Sequence, residues 1–262
     1  MFQRRALTAD VEAVRAAHAP DSPVLDVDTD VDTLPPTVAE DLGLFVDSLD
    51  PATVPRAWLP DDVPAILTRY AGSDFVVGMP GDGTVAWTRQ TVPPTVLVKS
   101  RAEGTPDDFL DFLLAEAFVQ IGLGVPEHFV EFFEDGYRDL DAAVSLDPAA
   151  VYQIAAALFD GWIGLQTRET FRGWADDHPD LHAAWVDAGE RLVDRIDGLP
   201  REVARGETSF AAATELACAA LKHDLDVPAP FAALDTSAYV EYGADYAVRW
   251  AEKTFEELRT GD

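Results

Sequence analysis

From Thr105 to Arg259 almost every segment repeats its apolar residues at helical spacing, and any fold must accommodate that run. Thr-Pro-Asp-Asp at 105–108 opens the first helix with a capping hydroxyl, a proline at the first position and acids on the dipole. A second helix begins near Pro126 and carries Phe129, Phe132 and Phe133. A third starts at Asp147-Pro148 and runs to about Trp174, with Asp160 its one charge before Arg168. The next starts at Pro179 and stops at Gly198-Leu199-Pro200. Ser209 caps a helix to Lys222, and Ser237 caps a last one to Arg259. Helices this apolar on one side cannot stand alone in water, so the pattern predicts a bundle of about six.

One stretch breaks the rule. Residues 74–101, DFVVGMPGDGTVAWTRQTVPPTVLVKSR, read as a β-meander with strands at 74–79, 84–89 and 95–99. Asp82-Gly83 suits the first hairpin turn, and Pro93-Pro94 confines the second. Upstream, 8–18 reads as a short helix capped by Thr8. Residues 25–31 alternate Leu25, Val27, Thr29 and Val31 with aspartates, as a strand with one acidic face does. An EF-hand loop counted from Asp26 would place Val31 where glycine belongs and Thr37 where glutamate belongs, so it is rejected. Two more helices are expected at 37–49 and 62–70. The fold class is therefore α+β, predominantly helical: a small antiparallel β-meander packed on a bundle of about six helices. The best division lies near Arg101–Thr105, giving an α+β part at 1–104 and a bundle at 105–262, unless both form one integrated domain.

Acids outnumber bases 48 to 19, for a net charge of -29. Hydrophobic residues are 48% of the chain, as in globular proteins, so this acidity does not imply disorder. Such a surface repels nucleic acid and anionic membrane. Lys99, Lys222 and Lys253 are the only lysines; the other bases are arginine. High Asp and Glu with scarce Lys and one cysteine resembles cytosolic proteins of salt-in halophilic archaea. The wording of 74–101 is similar to uncharacterised haloarchaeal proteins, which implies a lineage and no activity. Cys218 stands alone, so neither an intrachain disulfide nor a cysteine-based zinc site is expected. The N-terminus lacks a signal-peptide core, and no apolar run approaches the ~20 residues of a membrane span. The expected location is the cytoplasm.

No familiar catalytic signature is present. The Gly-rich 78–84 segment lacks the lysine of a phosphate-binding loop and joins strands rather than opening a helix. G-x-S-x-G and H-E-x-x-H do not occur. His178 and His182 have the i,i+4 spacing of two metal ligands, but Pro179 disturbs the first; His128, among Glu127, Glu131 and Glu134, reads as an ordinary surface histidine. No metal site or cofactor is assigned. Tyr239, Tyr242, Tyr246 and Trp250 form an aromatic stripe on the last helix, as core packing or a subunit interface requires.

Two groups remain as candidates. Arg89, Lys99 and Arg101 form a basic island in the meander, and could hold a carboxylate or phosphate if strands two and three pair side by side. Glu116 is the single charge between Asp111 and Glu127, placed between Phe112 and Phe109 with Gln120 beside it. A carboxylate on that half-buried shoulder needs a cationic partner, for which Arg89, Arg101 and His128 are candidates, or has its pKa raised. Asp160 falls on the solvent side of its helix. Gly161 and Gly164 are placed for close helix approach. Two functional classes follow: a non-enzymatic protein binding a small anion or a partner, with self-association as one form, or a small acid–base or metal-assisted enzyme using Glu116 with Arg89 or Arg101.

Overall fold

Local chemistry sets the element boundaries, as the computed structural model shows for residues 1–29, 33–34, 36–72, 75–76 and 83–260. In chain order these are β1 (Phe2–Arg4), α1 (Ala9–His18), β2 (Val24–Val27), β3 (Thr33–Leu34), α2 (Pro36–Leu42), β4 (Ser48–Leu49), α3 (Ala65–Tyr70) and β5 (Phe75–Val76). There follow β6 (Val85–Thr88), β7 (Thr91–Val92), β8 (Thr95–Val98), α4 (Asp107–Leu123), α5 (Phe129–Phe133) and α6 (Gly136–Val144). The chain ends with α7 (Pro148–Asp177), α8 (Pro179–Ala204), α9 (Phe210–Lys222) and α10 (Ser237–Thr260). The protein is predominantly helical α+β, as its periodicity predicts. Most of the turn expected at 80–83, and residues 30–32 of the acidic alternation, lie outside the described residues.

Capping explains several starts. The Oδ1 of Asp147 accepts from the N–H groups of Ala149 and Ala150, both at 3.1 Å, and opens α7. Ser209 accepts from Ala212 N–H at 3.1 Å and opens α9. At α10 the capping oxygen belongs to Thr236, one residue before the expected Ser237. Thr8 is the N-cap residue of α1, as expected, but its hydroxyl donates to Asp111 at 2.8 Å instead of capping and ties α1 to α4. The helix expected from Pro126 is split, because Glu134 takes a φ of 50° between α5 and α6. The stop at 198–200 also fails: α8 continues through Pro200 to Ala204, forgoing one backbone donor.

Two compact units are built from interleaved segments. The first comprises Met1–Val54, Thr68–His128 and Thr170–Trp185; the boundary expected at 101–105 falls inside its middle segment. Its main sheet has the order β1-β2-β8-β6. The hairpin between the second and third meander strands is present, with Val85 opposite Val98 and Thr88 opposite Thr95. The sheet is nevertheless mixed rather than wholly antiparallel, because β2 runs parallel to β8. β8 is buried throughout and β2 at every residue but Asp26, as parallel pairing favours. The first meander strand, β5, pairs with β3. On one face Leu25, Leu97 and Ala86 join Phe2, Val27, Leu42 and Phe75 in a core. The other face receives α4, which packs on β6 and carries α1 on its own flank. Phe112 of α4 meets Phe171 and Trp174 edge-on, at 5.4 and 6.3 Å between centroids.

The second unit comprises Pro55–Leu67, Phe129–Glu169 and Val186–Asp262. Here α10 packs on α6, and Tyr239 donates its hydroxyl to the Leu158 carbonyl at 2.7 Å. Gly161 and Gly164 allow the close approach of α7 and α9: a Cβ on Gly161 would lie 3.0 Å from Cys218 Sγ, and one on Gly164 2.7 Å from Lys222 Cβ. Asp160 is exposed, as its helical position predicts. Among the described residues no helix is long and apolar enough to cross a membrane.

Candidate functional site

The sheet register separates the basic island. Lys99 donates its backbone N–H to Thr84, whereas Arg89 lies just beyond Thr88, the partner of Thr95. At about 3.3 Å per residue the two stand roughly 15 Å apart along the strands. Arg101 lies in a turn just past Lys99, at that end of the hairpin. Lys99 is buried at 2% exposure, and Lys99 and Arg101 each have a partner within the protein. Arg89 is different. Its guanidinium carbon lies 5.6 Å from the Trp87 ring centroid, and the side chain is exposed. Among the described residues that guanidinium makes no hydrogen bond or ion pair. Gly124, which ends α4 in the left-handed conformation, leaves space beside it: a Cβ there would stand 3.9 Å from Nη2.

Glu116 connects to the same arginine through a chain of side chains. It is buried on α4 at 5% exposure, deeper than the predicted shoulder. Gln120, one turn later, donates Nε2–H to Glu116 Oε1 at 3.1 Å. The amide oxygen of Gln120 accepts the Trp87 indole N–H at 2.7 Å. Glu116 thereby fixes the Gln120 amide, the amide fixes the indole, and the indole face carries Arg89. Glu116 and Arg89 belong to one construction without touching each other through these bonds. Glu116 has further interactions of its own.

Glu127 holds the backbone at this point. Its carboxylate accepts from Thr88 Oγ1 at 2.9 Å, from Arg89 N–H at 3.0 Å and from Gln90 Nε2 at 2.9 Å. Gln90 in turn accepts the Ala52 N–H at 2.9 Å. Sequence reasoning missed Glu127 because it sits among other acids; its donors come from the turn at 88–90, far away in the chain. His128 is a correction too. It is buried at 1% exposure and stacks on Tyr70, 4.2 Å between centroids, and desolvation lowers its pKa to about 3. A neutral imidazole of that kind is neither a surface histidine nor a proton carrier at pH 7. His178 pairs with Asp10 at 3.2 Å, which explains its position without a metal. Among the described residues no group of three His, Cys, Asp or Glu side chains is arranged to hold a metal ion.

This arrangement presents one cation with unused planar donors, oriented by a ring and anchored through its backbone N–H. It can receive a carboxylate or phosphate bidentately. The buried carboxylates serve to hold that geometry. No curated protein and no solved structure matches the chain. A family model matches it along nearly the whole length, residues 1–258: the chain belongs to the family of unknown function DUF7089.

Proposed function

We propose that this is a non-enzymatic binding protein that takes an anionic group, a carboxylate or a phosphate, on Arg89. The observation that carries this reading is the guanidinium itself: exposed, laid over Trp87 and making no ion pair among the described residues. In a chain of net charge -29, an arginine finds an acid partner easily, as Arg5 does with Asp26 at 2.6 Å. The bonds from Glu116 through Gln120 to Trp87, and from Glu127 to the Arg89 N–H, restrict the side chain before any anion arrives. The acid–base reading is weaker, because Glu116 is buried and bonded to Gln120 as a support. The charge balance and the scarcity of lysine support a cytoplasmic protein of a salt-adapted cell.

Thermal unfolding with phosphate or succinate, at constant ionic strength, tests this. Either anion should stabilise the wild type, and Arg89→Gln should abolish the shift without changing the melting temperature in its absence. Light scattering on both forms separates a free anion from a carboxylate on a second copy of the chain, since only the second makes the wild type larger than the variant. Equal anion response in Arg89→Gln and wild type, or none in either with both monomeric, refutes the proposal.

A further inference from the structure

Two exposed cations, Arg249 and Lys253, border a groove on α10, in the other compact unit. The helix turns sharply at Gly243, where φ is 48° and ψ is -120°. Beyond that point Tyr246, Arg249, Trp250, Lys253 and Glu257 follow one another at helical spacing and line a groove of about 430 Å³, with Pro230 on the facing wall. That volume lies within the range of small-molecule sites.

The groove is preformed by two hydrogen bonds. The Trp250 indole donates to the Pro230 carbonyl at 3.0 Å, and the Tyr246 hydroxyl to the Ala233 carbonyl at 2.6 Å. Both aromatic donors are thereby satisfied; Trp250 is buried against Phe210 and Phe231, so the half-buried Tyr246 ring and Pro230 supply the apolar surface of the groove. Its positive charges are Arg249 and Lys253, both exposed and one turn apart. Among the described residues neither makes a hydrogen bond or an ion pair. Some other bases of this unit do: Arg168 meets Asp235 at 2.8 Å, and Arg191 pairs with Asp187 one turn away. Lys253 is also one of only three lysines in the chain.

We propose that this groove binds a small organic anion with one negatively charged head and a planar apolar body. The head takes the donors of Arg249 and Lys253, and the body lies against Tyr246 and Pro230. Glu257 lines the end beyond Lys253 and disfavours a second negative charge there. The site thus selects monoanions over dianions and over neutral molecules of the same shape.

Naphthoate, naphthylmethanol and naphthalenedicarboxylate are suitable probes, titrated calorimetrically against the full chain in about 1 M KCl, where far charges are screened. Naphthoate should bind saturably at one site per chain, and naphthylmethanol about tenfold or more weakly. Arg249→Gln with Lys253→Gln should weaken naphthoate about tenfold or more, since each lost contact is charge-assisted. Glu257→Gln should reduce the discrimination against the dicarboxylate, and Arg89→Gln should leave naphthoate binding unchanged. All substituted side chains are exposed, and unchanged thermal melts verify the fold of each variant. Absence of saturable binding by the wild type overturns the proposal, as does equal affinity in the double variant. Loss of naphthoate binding in Arg89→Gln would assign the probe to the other site and overturn it equally.

Discussion

Replacing Glu127 by alanine isolates the group that holds the end of β6 in place. The substitution removes the acceptor of Thr88 Oγ1, of the Arg89 N–H and of Gln90 Nε2 in one step. A buried donor left without an acceptor costs about 1–3 kcal/mol. The Thr88 hydroxyl can turn to another acceptor and the Arg89 N–H is only part-buried, so the three together cost roughly 3–5 kcal/mol. Glutamine at the same position separates hydrogen bonding from shape. Its oxygen can still accept from Thr88 and Arg89, while its amide N–H groups face the Gln90 amide. Gln90 cannot turn over to compensate without dropping the Ala52 N–H it accepts at 2.9 Å. One bond is lost, for about 1–2 kcal/mol. Urea unfolding followed by circular dichroism reads both differences. In thermal melts the alanine variant should unfold roughly 6–20 °C lower, at about 2–4 °C per kcal/mol for a chain of this size. An alanine variant within about 1 kcal/mol of wild type, or a glutamine variant as unstable as the alanine one, refutes the account.

His128 gives a stability that depends on pH. Its folded pKa of about 3 lies below the ordinary 6.5, so the unfolded chain binds the extra proton. The contribution is complete above about pH 6.5 and is lost as pH falls toward 3, with a slope of at most about 1.4 kcal/mol per unit. Denaturant titrations between about pH 6.5 and 5 should show a steeper loss in wild type than in His128→Phe; equal slopes would remove His128 as the cause. Glycines of α7 should respond with opposite signs. Gly164→Ala drives a methyl to 2.7 Å from Lys222 Cβ and 2.8 Å from its Cα, and should cost about 1–3 kcal/mol. Gly173→Ala meets nothing within 4 Å and should stabilise by about 0.5–1 kcal/mol. Denaturation midpoints that move the same way would contradict the packing argument. The net charge of -29 should make stability rise with salt: the melting temperature should climb between about 0.1 and 1 M KCl as the Debye length falls from about 10 to 3 Å. A flat or falling curve would dismiss salt adaptation.

Much of the fold was legible because its causes are local. The caps at Asp147 and Ser209, and the small residues at 161 and 164, act within a few residues or one helix face. Glu116 could be singled out because a lone carboxylate between phenylalanines has few explanations. Pairing between distant segments was not legible. Nothing in VLDV at 24–27 announces β8 as its parallel neighbour, and a β-meander is the simpler reading of three nearby strands. His128 and Glu127 look exposed beside Glu131 and Glu134, but the chain reverses at Gly124 and carries both inward. At α10 the aromatic stripe is visible in the sequence, while nothing there sets Arg249 and Lys253 apart. The groove beside them forms where the loop around Pro230 accepts the Trp250 and Tyr246 donors.

The bases without acid partners carry more information than the abundant acids. In a chain this negative, a cation lowers its energy by turning toward a carboxylate, as half-buried Arg5 and Arg168 and exposed Arg191 do. Arg89 is instead laid over Trp87, and Arg249 and Lys253 stand beside an aromatic-walled groove. At Arg89 the contact group is held over a ring before an anion arrives, so less ordering opposes binding. The overall charge opposes such binding only as far as its field reaches, about 3 Å in molar salt against about 30 Å at 0.01 M. Concentrated salt therefore leaves the choice of ligand to the few groups in contact with it. On that argument, an arginine held by a ring and not by an acid is one way for an acidic protein to recognise an anion.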